Sequence, residues 1–178
     1  MRRRPWALHA ALALMLAALA HGAAVWAVPR LIMWQLARNA PPQMRHGMYF
    51  PPPTDHGQRR VVLPSPDLLY ATCRFDLARA PLRIRAHPQW PRYWSLALYA
   101  ANSDNFFVLN DREAGNAPVD LLLAAPGQAL PSGSAGAARV VRAPGTRGLL
   151  LMRLLLVDPA VEGPAADAAR RTLHCEPA

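Results

Sequence analysis

The chain has 178 residues and a formal charge of +9 at pH 7, and all of its 20 Lys-or-Arg positions are arginine. Without a lysine amine, Schiff-base chemistry and a phosphate-loop lysine are excluded. Beyond Arg2, Arg3 and Arg4 the arginines are scattered singly or in pairs among acids, without a basic stripe, so the charge does not predict a nucleic-acid partner.

The chain opens on those three arginines, and from Trp6 to Val28 no residue is formally charged at neutral pH. A helix of that length, at ~1.5 Å per residue, crosses the roughly 30 Å hydrocarbon core of a bilayer. The positive-inside rule keeps Arg2 to Arg4 cytoplasmic and sends the rest across. A cleaved secretory signal is the rival reading, and Ala18-Leu19-Ala20 supplies a small-x-small site for it. Apolar character that continues through Val25, Trp26 and Leu31 to Trp34 favours an uncleaved anchor over residues 1–36. Both readings place the remainder outside the cytoplasm, with a single-pass inner-membrane protein as the preferred form.

Residues 37–60 carry Pro41, Pro42, Pro51, Pro52 and Pro53, a composition that favours extended polyproline conformation and reads as a stiff stalk. Tyr49 and Phe50 within it are candidates to pack back onto the domain. From 61 to 178, short apolar runs are broken by Pro, Gly, Asn and Asp, the punctuation of a β protein. The predicted strands are Leu68–Leu77, Leu82–Ala86, Tyr93–Ala100, Phe106–Asn110, Val119–Ala124, Ala138–Arg142 and Gly148–Val157. Alternation in Leu82-Arg83-Ile84-Arg85-Ala86 turns Leu82 and Ile84 inward and both arginines to solvent. The nearly continuous apolar run Leu149–Val157 predicts a central strand covered on both faces, with Arg153 in need of a carboxylate or carbonyl. Asp158-Pro159 is a cap and first helical position for a helix toward Cys175, the one helix expected in the domain. The fold class is therefore mainly β: an antiparallel β-sandwich-like domain behind one transmembrane helix, with a short C-terminal helix.

Cys73 and Cys175 are the two cysteines, an even count that suits a disulfide in an oxidising compartment and would staple the C-terminal tail to the first predicted strand. His46, His56, His87 and His174 follow no ligand spacing, and no motif calls for a metal or a cofactor. The densest polar group surrounds Asn102-Ser103-Asp104-Asn105, which reads as the turn of a hairpin; its functional alternative is a polar pocket lined by Asp104 and Asn105. A second group joins Asp67 and Tyr70 at the entry of the first predicted strand to Asp76 at its end. Acids in unlike environments can divide general acid and base roles, provided that they meet.

The segments Ser65-Pro66-Asp67-Leu68-Leu69-Tyr70, Asp76-Leu77, Ala80-Pro81, Arg92-Tyr93-Trp94-Ser95-Leu96 and Asp104-Asn105-Phe106 together resemble the bacterial family called domain of unknown function 1254. The likeness runs over Val61 to Asp111 and more loosely to the end; short, single-span membrane proteins of that family are closer still. Longer members carry a second β domain, of unknown-function family 1214, on the same chain. The resemblance therefore implies a companion membrane protein bearing that domain. The family's first motif usually reads Asn-Pro-Asp-Thr, whereas Ser65 and Leu68 stand here, which weakens any pocket role for Asp67 and Tyr70.

These observations point to an anchored envelope protein whose β domain is an interaction or ligand-binding module, with Asp67, Tyr70, Asp76, Arg92, Asp104 and Asn105 as candidate polar-site residues. The alternative is a hydrolase on a polar or anionic envelope substrate, using an aspartate as base and Arg74 or Arg92 to hold the anion. A structural tether without a ligand is the third reading. An enzyme requires the acids to converge in one concavity; a module leaves them as separate turn caps.

Overall fold

The computed structural model describes residues 5–42, 47–58, 64–130, 133 and 136–178. Arg2 to Arg4, His46 and parts of the stalk and of the loop between Pro126 and Ala138 lie outside the described residues. Helix α1, Pro5–Arg38, is long and apolar enough to cross a membrane. It is exposed all round from Trp6 through Trp26 and becomes partly buried on one face, at Pro29, Ile32, Met33, Leu36 and Ala37, with Ala40 buried just beyond it. Arg74 donates to the Ala37 carbonyl at 3.2 Å and so ties the end of the helix to the β domain.

That domain is a sandwich of two sheets. The first layer is antiparallel and takes the order β1 (Met48–Tyr49), β2 (Leu68–Asp76), β8 (Arg147–Leu155), β4 (Trp94–Ala100), β5 (Asn105–Asn110). In the second the order is β7 (Arg139–Arg142), β6 (Val119–Ala124), β3 (Leu82–Ala86), β9 (His174–Pro177), antiparallel except for the parallel pair β6–β7. Every predicted strand is present. The structure adds β1, β9 and a one-turn helix α2 (Asp111–Ala114), and it ends the C-terminal helix α3 (Pro159–Arg170) well before Cys175. The additions are two to four residues long, too short for periodicity to register. Part of the proline-rich segment joins the sandwich: Met48 and Tyr49 pair with Cys73 and Thr72, and Phe50 packs against the core.

Alternation decides which side chains enter the core. Leu69, Ala71, Cys73 and Phe75 of β2, Leu150, Met152 and Leu154 of β8 and Leu96 and Leu98 of β4 meet Ile84, Leu121, Leu123 and Val141 from the other layer. Asp158 caps α3, accepting from the Ala160 and Val161 amides at 3.0 and 3.3 Å, with Pro159 at the first helical position as expected. The outward face of the second layer is charged: Arg83 Nε donates to Asp120 Oδ1 at 2.8 Å and Arg85 pairs with Glu176 at 3.4 Å.

β8 is central, as its apolar run predicts, but only one of its faces is fully covered. Leu150, Met152 and Leu154 are buried, whereas Leu149, Leu151, Arg153 and Leu155 are half-buried on the outward face of the first layer. A continuous apolar run cannot distinguish a strand buried on both faces from one whose second face is apolar and part-exposed. Gly148 sits where β8 passes beneath the Phe75 ring and the Tyr99 carbonyl, and a Cβ there would overlap both. Backbone cannot give way cheaply, so Gly148→Ala is expected to destabilise the domain by about 1–3 kcal/mol or more, read from the urea midpoint of the detergent-solubilised protein.

Candidate functional site

The six residues singled out from the sequence fall at two ends of the first layer. Asp67 is exposed in the turn before β2, its carbonyl accepting from Leu156 at 2.8 Å, and the Tyr70 hydroxyl accepts from the Ser65 amide at 2.9 Å. At the other end, Asp76 accepts from the Ala78 amide at 3.0 Å and from Arg147 at 2.8 Å. Those bonds, the Ala78 amide first and the Arg147 guanidinium second, hold its carboxyl below the usual range. Asp104 stays in the turn between β4 and β5, where Asn102 donates to it and Ser103 takes a positive φ of 69°; Asn105 begins β5. With ~3.3 Å per residue along β2, Asp67 and Asp76 stand about 30 Å apart. The structure brings Asp76, Asp104 and Asn105 to one end of the sheet, and Asp67, Tyr70 and Arg92 to the other.

The Arg92 end holds a groove of about 630 Å³ between two loops that cross from layer to layer, residues 87–93 from β3 to β4 and 111–118 from β5 to β6. Trp94 lines its floor and Trp90 one wall, with the Trp90 indole donating to the Leu155 carbonyl at 3.0 Å. Arg92 Nε donates to Glu162 at 2.6 Å. Glu162 in turn accepts from the Val157 amide at 2.8 Å, and these contacts lower its pKa, the backbone bond most. Asp111 lines the same groove, and its Oδ1 is buried without a hydrogen-bond partner. Trp90 and Asp111 escape a reading by motif because nothing in their spacing brings two crossover loops together.

A second place on the first layer is defined by register. Tyr70, Arg153, Ser95 and Asn110 lie side by side across β2, β8, β4 and β5, on the outward face. Ser95 is fully buried with its Oγ unpartnered, and the adjacent Arg153 Nε is buried and unpartnered as well. Around them stand Leu149, Leu151, Leu155, Ala97 and Val108, the last 44% exposed. Arg153 is thus central, as expected, and its Nε has not found the acceptor that burial calls for.

Arg170, beneath the same end, went unrecognised in the sequence. It is 4% exposed, and its guanidinium donates to the Tyr70 carbonyl at 2.5 Å, the Pro51 carbonyl at 2.7 Å and the Asp167 carboxylate. An arginine on an alanine-rich helix reads as a solvent-facing cation; here its stem and head are both enclosed. Cys73 is buried in β2 and Cys175 part-buried in β9, and no bond joins them in the structure.

The family model for a protein of unknown function, DUF1254, matches residues 43–177, and the chain belongs to that family. The fold is similar to the crystal structure of the VPA0106 protein from Vibrio parahaemolyticus, with a TM-score of 0.63 at 17% identity over 87% of this chain and 36% of that one. An uncharacterized protein from Burkholderia cenocepacia aligns at a TM-score of 0.48 and 19% identity, over 89% of this chain and 42% of that one. The chain thus spans well under half the length of both solved proteins. No curated protein matches it.

Asp167 gives the site's support a pH dependence. Hydrogen bonds from Arg171 first, and from Arg170, lower its pKa below the ordinary 3.8. A carboxylate with a depressed folded-state pKa contributes stability that is complete above its unfolded value and is lost as pH falls through the folded one. Thermal unfolding should therefore be flat from about pH 7 to 5 and should fall steeply below about pH 4, the ordinary carboxylate range. Asp167→Asn is expected to lower the midpoint at pH 7 and to flatten the acid limb.

Proposed function

We propose that this protein is a single-pass module of the inner membrane, N-terminus cytoplasmic and β domain periplasmic, that docks the outward face of its five-stranded sheet onto a companion membrane protein. The observation that carries this reading is the row at the centre of that face, where Ser95 Oγ and Arg153 Nε are buried without partners among half-exposed leucines. A part-exposed apolar patch around an arginine whose Nε lacks its acceptor is the composition of an interface core; Ser95 is already covered by this chain, so it is the part-exposed Arg153 side chain that a carboxylate or carbonyl from a partner would meet. The opposite layer, with its charges already paired outward, offers no such face.

Placement in the membrane is supported by α1, whose fully exposed stretch from Trp6 through Trp26 is about 30 Å long. At the end of that stretch Arg30 stacks on Trp26 at 4.4 Å and Arg38 on Trp34 at 5.1 Å, an arrangement suited to an interface belt. The family resemblance implies that the companion carries a domain of family 1214. The distance between Asp67 and the pair Asp76 and Asp104 weighs against a hydrolase that uses them together. A second reading, a small polar ligand held in the groove between the crossover loops, is favoured by the orphaned Asp111 oxygen.

The test is purification of the intact protein from its own membranes in mild detergent, with mass spectrometry of what accompanies it, for the wild type and for Arg153→Leu. Stoichiometric recovery of one anchored β-domain protein with the wild type is expected. Its affinity should drop about 30-fold or more in the variant, the loss of a hot spot of about 2 kcal/mol, while the thermal midpoint of the variant stays level or rises because a buried unpaired donor has gone. Recovery of the chain alone, or undiminished capture by Arg153→Leu, would sink the docking reading and turn attention to Asp111.

A further inference from the structure

The two layers of the sandwich are aligned so that β1 and β2 at one margin of the first lie over β9 at the margin of the second, just as Arg139 of β7 reaches Phe107 of β5, 4.9 Å from its ring, at the opposite margin. Two cysteines, 102 positions apart in sequence, meet at the first of these margins. Cys73 points into the core from β2, and its register partner on β1 is Met48. Cys175 pairs with the inward-facing Ile84, packs against the same core cluster, and donates its amide to Met48 Sδ at 3.2 Å.

From this juxtaposition we infer that Cys73 and Cys175 close into a disulfide that pins β9 across the sandwich to β2 when the chain folds in oxidising surroundings. The strand it would hold needs a tie: β9 is four residues long, pairs among the described residues only with β3, and has an exposed ion pair, Arg85–Glu176, at its outer side. Closure forms one S–S bond and releases two protons and two electrons to a disulfide oxidant, of protein or small-molecule kind, which leaves as two thiols after a mixed-disulfide intermediate. The hydrogen bond that the Cys175 thiol donates to Cys73, together with burial, pushes the Cys175 pKa far up, which disfavours the attacking thiolate once β9 is seated. Cys73 is 1% exposed, so the finished bond lies with one sulfur inside the core.

The inference rests on the periplasmic placement for its oxidant, and two measurements keep the two claims separable. In the first, cells are quenched with acid, free thiols are alkylated, and the intact protein is mapped by non-reducing peptide mass spectrometry. In the second, the full chain is unfolded in urea and refolded in detergent with a mixture of reduced and oxidised glutathione before the same mapping. A cross-linked peptide joining Cys73 to Cys175 in both is expected. A cross-link only after refolding would uphold the disulfide and overturn the periplasmic placement. Two free thiols, or two separate glutathione adducts, after refolding would overturn the disulfide. As a further readout, Cys175→Ser and Cys73→Ser should each expose the C-terminal strand to proteolysis several-fold faster than in the wild type, and the double variant should be no faster than either; additive effects would mean that the thiols act independently.

Discussion

Three parts of the chain that are far apart in sequence converge on the buried guanidinium of Arg170. It donates to the backbone of the proline-rich segment at Pro51, to the edge-side strand β2 at Tyr70 and to its own helix at Asp167, with the Phe50 ring 5.7 Å away. A cation can be enclosed only when its donors are matched, and removing it would take a donor from two carbonyls and leave Asp167 to Arg171 alone, a loss of about 1–3 kcal/mol on the scale of buried groups that lose a hydrogen bond. The position of α3 over β2, and with it the path of the chain into β9, depends on that match.

The same margin joins helix α1 to the domain. Arg74, on the outward side of β2, holds the last turn of α1 through the Ala37 carbonyl, while Arg170 holds the segment that follows through Pro51. Helix α1 and the sheet are therefore connected at two points along β2 rather than by a free tether, which restricts the orientation of one relative to the other.

Much of the fold was legible in the sequence. Alternation in Leu82-Arg83-Ile84-Arg85-Ala86 and the polar turn at Asn102 to Asp104 identify elements whose stability is local, and Asp158-Pro159 marks a helix start because capping is a matter of adjacent residues. Less of the candidate site was legible. Asp76 and Asp104 are near each other only because β2 and β4 both flank β8, and the groove between Trp90 and Asp111 exists only because two crossover loops share an end of the sandwich. Arg170 was hidden for a related reason: the composition of an arginine's neighbours does not say whether its head reaches solvent.

By itself, then, the sequence determined the apolar N-terminal helix, the mainly β character of the rest, the family likeness and the absence of lysine chemistry, since each is set by residue type or by spacing within a few positions. Tertiary structure alone decided that the polar candidates divide between two ends, that Ser95 and Arg153 stand side by side without partners, and that Met48, Cys73 and Cys175 gather at one margin. Those relations depend on strand order and register, which are settled by how two sheets bury their shared core and leave no trace in local periodicity.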